Sequence, residues 1–474
     1  MPRPADYVSF APSIFGLLPK PRKAVLTEGE FVFGKELHVS PALSRELGET
    51  LEKFGVGCVV DGDNPVVSAH NDASIAPEGF RIEITPGRIS VAFSDDSGRR
   101  YALSALEQLL YLAFRFGADS ALLECGVVED APCLKWRGVM LDSARHFQSA
   151  DTICRLLKAM GRLRLNRFHW HLTDCQGWRI PSASAPELNA LSALQEGCYT
   201  VSDIERIRRV ALENGISIIP EIDFPGHNQG LLSLHPELRC HPELLPNEIC
   251  LGNPASLEFA KARYAEAMAL FPESRYFHIG GDEAWDGEWR ACAKCQAKIQ
   301  ELGIGSAREL EAWFMRTLSE FLIDNGRTPI SWRTPAILTP QNILQCWGNA
   351  NDMWGCAMHD QGKNLVISSI DNAYYLDYPQ SAGEPRLQWM VMLPEEGIYA
   401  ANPAAHMGEA LGDRLLGLEC PLWTEIVPEW RIGAKCFPRL VAASEAAWLP
   451  FDKKNYQDYL ERRTALELAG LEWW

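Results

Sequence analysis

From Arg137 onward, eight short apolar or β-branched runs recur, and almost every one closes on a polar or aromatic residue. The runs are RGVMLDSARH, RFHWHLTD, SIIPEID, YFHIGGDE, TPISW, ILQCW, LVISSI and LLGLECPLWTE. Between them lie stretches of helical periodicity, including TICRLLKAMGRLRL, SDIERIRRVALENG, LEFAKARYAEAMALF and ARELEAWFMRTLSEFLIDNG. Eight strands alternating mostly with helices over roughly 310 residues predict an α/β fold, a (β/α)8 TIM barrel with loop insertions. A doubly wound open sheet is the competing topology, but no G-x-G-x-x-G follows any of these strands.

In such a barrel the C-terminal ends of the strands converge on one face, where catalytic groups gather. Here they carry Asp142 and Arg145, Asp174, Asp223 and His227, Asp282 and Glu283, Trp332, Trp347, Tyr375 and Asp377, and Trp423 and Glu425. One polar residue closing a strand is commonly just a helix cap. Agreement across the eight points to a site.

The residues before the barrel read differently. FVFGKELHVS, GVGCVV, NPVVSAH and FRIEITPGRISVAFS are short β-like segments, and YALSALEQLLYLAFRF is an apolar helix. FRIEI and ISVAF, joined by TPGR, predict a hairpin. The expected organisation is a smaller α+β accessory domain over residues 1–130 and a barrel over residues 131–474.

Composition narrows the partners. A net charge of −17 without a basic run disfavours a protein that tracks nucleic-acid phosphates. No stretch reaches the roughly 18 consecutive apolar residues of a membrane helix. The proline-broken N-terminus lacks a signal-peptide core, so the expectation is a cytoplasmic chain, or an exported one whose signal has been removed. Fourteen cysteines among 474 residues fall far below disulfide-scaffold density. Oligomeric state has no signature in the sequence.

HIGGDE, His278 to Glu283, is the sharpest motif. Its two glycines allow a tight turn after the strand, and two adjacent carboxylates then emerge at the barrel mouth. Paired acids suit glycoside hydrolysis, which needs a proton for the leaving oxygen and an anion near an oxocarbenium-like centre. Trp332, Trp347 and Trp423 could wall a pyranose ring.

The ordered motifs WRGVMLDSARHF, NRFHWHLTDCQGWRI, IPEIDFPGH, YFHIGGDE, YYLDY and LWTE resemble those of glycoside hydrolase family 20, the β-N-acetylhexosaminidases. The resemblance spans about residues 30 to 450, and PEGFRIEI…DSGRRYALSALEQLL is similar to that family's α+β domain. It implies retaining, exo-acting hydrolysis of glycans ending in β-linked N-acetylglucosamine or N-acetylgalactosamine. The substrate's own acetamido oxygen would be the nucleophile, giving an oxazolinium ion, and no cofactor is required. On this reading Glu283 is the general acid and base, and Asp282 orients the acetamido N–H and stabilises the developing charge. Tyr375 bonds the acetamido oxygen. Arg145, Asp377 and Glu425 hold sugar hydroxyls, Trp347 and Trp423 wall the pocket, and Asp174 with His227 tunes the acid. Ser331-Trp332-Arg333-Thr334 departs from the family pattern, with Arg333 where an acidic residue or a Gln-Glu pair commonly follows Trp.

Two other readings compete. His169-Trp170-His171 could open the metal site of a barrel amidohydrolase, although the later strands offer acids and tryptophans rather than further histidines. A catalytically silent sugar-binding homologue is disfavoured by the presence of Asp282, Glu283 and Tyr375 together. Separately, Cys240, Cys250 and the C-x-x-C of Cys292 and Cys295 lie in loops after adjacent strands. Structural zinc, a pair of disulfides and unpaired thiols are the three states open to them.

Overall fold

The N-terminal residues form a seven-stranded mixed sheet of β1 (Lys23–Val32), β2 (Glu36–Val39), β3 (Gly57–Val60), β4 (Val67–Asn71), β5 (Phe80–Thr85), β6 (Arg88–Phe93) and β7 (Leu122–Asp130), in the order β1-β7-β5-β6-β4-β2-β3. The predicted hairpin is present: β5 and β6 pair antiparallel up to Thr85 and Arg88, which flank Pro86-Gly87. Ile82 and Ile84 alternate with exposed Arg81 and Glu83, so one face of β5 is apolar and buried. Helices Pro41–Lys53 and Asp96–Ala113 bury their Leu-rich stripes in the same core. Asp95 caps the second helix by accepting from the Gly98 N–H at 2.8 Å.

The structure is a computed structural model that describes residues 14–114, 121–332, 339–348, 365–403 and 413–474. Each of the eight runs is a strand of one closed parallel barrel. The strands are β8 (Trp136–Asp142), β9 (Arg167–His171), β12 (Ser217–Glu221), β13 (Tyr276–His278), β14 (Thr328–Trp332), β15 (Ile343–Cys346), β16 (Leu365–Ser368) and β17 (Leu415–Leu422). A two-residue hairpin, β10 (Thr173–Asp174) and β11 (Gly177–Trp178), follows β9. The predicted helices lie at Ala150–Arg162, Val201–Glu213, Pro254–Leu270 and Ala307–Asp324. Thr200 and Asp203 form a reciprocal capping box on the second of these. No helix among the described residues is long and apolar enough to cross a membrane.

By contact the chain divides into Met1–Lys135 with Ala159–Arg164 and Leu440–Trp474, and Trp136–Lys158 with Leu165–Arg439. The division differs from 1–130 and 131–474 chiefly in giving Ala159–Arg164 and Leu440–Trp474 to the N-terminal unit. Trp448 explains it: fully buried in the N-terminal core, it donates from Nε1 to Asp130 at 2.9 Å and packs edge-on to Tyr101.

The barrel interior is layered because strand side chains alternate. Trp136, Ile219, Ile330, Ile343 and Ile367 form an apolar floor. Two residues further along the strands come His169, Glu221, Trp332, Gln345 and Glu419, all buried. The site lies one layer above.

Candidate active site

The loop after β13 brings the acid pair to the mouth. Gly280 and Gly281 both adopt left-handed backbone, with φ of +66° and +97°. A side chain at Gly280 would meet Asp223 Oδ1 at 1.6 Å, so glycine is required there for contact as well as for conformation. Glu283 itself sits at φ 48° and His227 at φ 56°, strained backbone of the kind that collects at functional sites.

The two acids differ in environment. The Glu283 side chain is 60% exposed and that of Asp282 only 12%. His227 Nε2 stands between them, 3.8 Å from Asp282 and 3.7 Å from Glu283. Burial opposes a charge on His227, but its hydrogen bond to Asp174 and the charge of Asp282 hold it as the imidazolium. Burial raises the proton affinity of Asp282, and the His227 cation works the other way. Asp223, fully buried beside Asp282, is pushed far above the usual carboxylate range by burial and by that neighbour's charge. Of the two, Asp223 is therefore the one that keeps a proton.

A cavity of about 460 Å3 opens over these groups. It is lined by Arg145, His227, Asp282, Glu283, Trp332, Trp347, Tyr375, Asp377, Trp423 and Glu425. Every residue given a catalytic or sugar-binding role in the sequence reading, except Asp174, is in that wall. Asp174 lies beneath it, 2.8 Å from Arg145 Nη2, 3.0 Å from His171 Nε2 and 3.3 Å from His227 Nδ1. Burial favours its neutral form, but Arg145 and the two histidines outweigh this and hold it ionised well below the usual carboxylate range. Arg145 also lies 5.0 Å over the Trp423 ring. Trp332 and Trp423 are tilted neighbours with centroids 5.7 Å apart.

Several buried polar atoms around the cavity have no protein partner among the described residues: Arg145 Nε, Asp282 Oδ1, Trp347 Nε1 and Asp377 Oδ1. Buried polar atoms are costly when unpaired, so this wall is built for a polar ligand. Burial and the neighbouring Glu425 push Asp377 up to about 8. Tyr378, Trp389, Met390 and Asp371 also line the cavity. Sequence reasoning missed Trp389 and Met390 because they follow no strand end, and passed over Asp371 and Tyr378 beside Tyr375 and Asp377. Arg333 and Thr334, the departure noted above, lie outside the described residues.

Below the cavity runs a carboxylate–imidazole ladder absent from the sequence reading. Glu419 is 2.8 Å from His169 Nδ1, and His169 Nε2 is 3.0 Å from Glu221. Glu221 continues to His171 Nδ1, and His171 to Asp174. Trp332 Nε1 donates to Glu221 at 2.7 Å, and Gln345 and Trp136 donate to Glu419 at 2.6 and 3.0 Å. Period-two polar residues in the strands, H-x-H in β9 and Glu221-x-Asp223 at the end of β12, were the available signal, since a doubly buried parallel strand is ordinarily apolar throughout.

Burial disfavours a charged His169, but Glu419 and Glu221 outweigh it and lift its pKa to about 9.

The ladder also yields a stability prediction. His169 titrates near 6.5 when unfolded and near 9 when folded, so its contribution is complete below pH 6.5 and is lost as pH rises through 9. Urea unfolding is expected to show stability falling by about 3 kcal/mol or more across that window. A flat profile would contradict a charged His169.

Cys240, Cys250, Cys292 and Cys295 are all buried, and none of the described cysteines is in a disulfide. Their nearest Sγ–Sγ separations are 3.7 and 3.8 Å, far from the roughly 2.05 Å of an S–S bond. The structure thus departs from the disulfide alternative.

Comparison with known proteins bears on the whole chain. A family model described as glycosyl hydrolase family 20, catalytic domain, matches residues 134–450, and one described as domain 2 of that family matches residues 15–131. A β-hexosaminidase of Akkermansia muciniphila is 29% identical over 411 residues, covering 81% of this chain and 82% of its own. The crystal structure of an exo-β-N-acetylglucosaminidase from Vibrio harveyi in complex with N-acetylglucosamine is similar at a TM-score of 0.86 and 27% identity, covering 97% of this chain and 79% of that one. A β-N-acetylhexosaminidase from Bacteroides fragilis has a TM-score of 0.84 at 28% identity and covers 96% of both chains.

Proposed function

Because this chain belongs to glycosyl hydrolase family 20 and is thus a glycoside hydrolase, we propose that it is a retaining exo-β-N-acetylhexosaminidase. Its substrate is a glycan ending in β-linked N-acetylglucosamine or N-acetylgalactosamine. The reading rests above all on one observation. Asp282, buried with an Oδ1 that has no partner among the described residues, adjoins the exposed Glu283 at a cavity of about 460 Å3.

The chemistry divides between the two acids. Glu283, at the solvent side, protonates the departing oxygen and then takes a proton from the incoming water. Asp282 accepts the acetamido N–H through its free Oδ1 and holds the acetamido oxygen toward the anomeric carbon. That oxygen forms the new C–O bond as the aglycone leaves, giving an oxazolinium ion whose positive charge faces the Asp282 carboxylate. Tyr375, kept protonated by burial, donates to the acetamido oxygen. Arg145, Asp377 and Glu425 bind the ring hydroxyls, and Trp332, Trp347 and Trp423 enclose the ring and its acetamido methyl. Catalysis in this reading uses no cofactor, and any metal at the four cysteines is structural.

The test compares 4-nitrophenyl N-acetyl-β-glucosaminide with 4-nitrophenyl β-glucoside, which lacks the internal nucleophile. The glucoside is expected to turn over at least ~10³-fold more slowly, given the effective molarity of an intramolecular attack. NMR of the first product is expected to show the β-anomer. Equal rates on both substrates, or an initial α-anomer, would refute the mechanism. Absence of turnover on both 4-nitrophenyl N-acetyl-β-glucosaminide and 4-nitrophenyl N-acetyl-β-galactosaminide would indicate a sugar-binding protein.

A further inference from the structure

We infer that Cys240, Cys250, Cys292 and Cys295 bind one structural Zn2+ that ties together the two loops carrying His227 and the Asp282–Glu283 pair. Cys240 and Cys250 belong to the loop after β12, and Cys292 and Cys295 to the segment after β13. All four Sγ atoms lie within 4.8 Å of one another. Zn–S bonds of about 2.3 Å in a tetrahedron require S–S edges of about 3.8 Å. The closest separations, Cys240–Cys295, Cys250–Cys292 and Cys250–Cys295, are 3.8, 3.8 and 3.7 Å.

The surroundings suit thiolates. Cys292 is the N-cap of helix Ala293–Leu302 and Cys295 lies in its first turn, where the helix dipole favours negative charge. The Gly252 N–H points at Cys295 Sγ from 3.3 Å. A side chain on Gly252 would meet the Cys295 nitrogen at 2.3 Å, so this close approach needs glycine. A tetrahedral tetrathiolate also fits iron, but Zn2+ outranks Fe2+ in affinity for such ligands.

The clamp reaches the acids by a short path. Residues 247–250 lie between the two catalytic loops. Asn228 N–H donates to Asn247 at 2.9 Å and Ile249 N–H to Pro225 at 3.0 Å. On the other side Trp285 N–H donates to Glu248 at 3.0 Å and Trp289 Nε1 to Ile249 at 3.0 Å. Cys250 ends that segment. The metal therefore fixes the spacing of His227 and Glu283 and takes no part in the reaction. The site itself stands independently of the glycosidase reading.

Metal analysis of the full chain, purified without chelator, is expected to find about one zinc per chain. A mercurial thiol reagent should release it in step with four thiols, read with 4-(2-pyridylazo)resorcinol. Protein produced in cobalt-supplemented medium should show the intense sulfur-to-metal charge-transfer and visible bands of tetrahedral Co2+ thiolate. Cys295→Ser is expected to lose those bands and most of the zinc, and to lower kcat by ~10-fold or more through loop displacement. If Cys295→Ser does not fold, zinc release and the cobalt spectrum of the unaltered chain still decide. Folded protein with only trace zinc and four alkylatable sulfurs, disulfides detected by mass, or iron in place of zinc would each overturn the assignment.

Discussion

Glu283→Gln is expected to reduce kcat on a β-linked N-acetylglucosamine disaccharide by roughly 10²- to 10⁴-fold, the usual contribution of a positioned proton donor. The geometry makes the residue hard to replace. Its backbone is held at φ 48° by a loop whose glycines occupy left-handed conformations, and its exposed carboxyl lines the cavity. Gln retains shape but cannot give up a proton. With a nitrophenyl leaving group, which departs without protonation, the deficit in the first step should be much smaller. Near-normal turnover of the disaccharide by the variant would remove Glu283 from the role of general acid.

Asp282→Asn is expected to lower kcat by about 10²- to 10³-fold on every substrate, activated or not, because the loss is of transition-state charge stabilisation. That difference in leaving-group dependence separates the two acids. The asparagine carbonyl can still accept the acetamido N–H, but the amide carries no charge to offset the developing cation. A pH signature accompanies it. Burial lifts the proton affinity of Asp282, and the proposed chemistry needs its anion, so activity of the unaltered enzyme falls as pH drops through that raised pKa. The acid limb of the kcat profile should therefore flatten in Asp282→Asn. A variant that keeps both normal rate and the limb would exclude Asp282 as the charge-stabilising group.

Much of this was legible in the sequence because it is local. Strand count and order follow from alternating runs and helical periods, and all eight runs became barrel strands. The acid pair was legible because Gly280-Gly281 sits directly before it and a turn there leaves Asp282 and Glu283 at a strand end. Trp332, Trp347 and Trp423 were found by the same rule, whereas Trp389, on a long excursion away from any strand end, was not.

What the sequence could not determine depends on distance and burial. Asp142, Asp174, Asp223 and Asp282 all read alike as acids closing strands. Asp174 is ionised because Arg145, His171 and His227 surround it, and Asp223 keeps a proton because it is buried against Asp282. Proton affinity is set by neighbours and by exclusion of water, and neither is written into a residue's own segment. Trp448 entering the N-terminal core, 318 residues from its partner Asp130, belongs to the same class. So does the ladder, in which His169 meets Glu419 across 250 residues. By itself the sequence determined a barrel whose mouth carries two adjacent acids and tryptophans, since period and motif act over a few residues. Only the closed barrel decided which carboxyls are charged, which groups lie beneath the cavity, and that four sulfurs from two loops meet, since these follow from contacts between residues far apart in the chain.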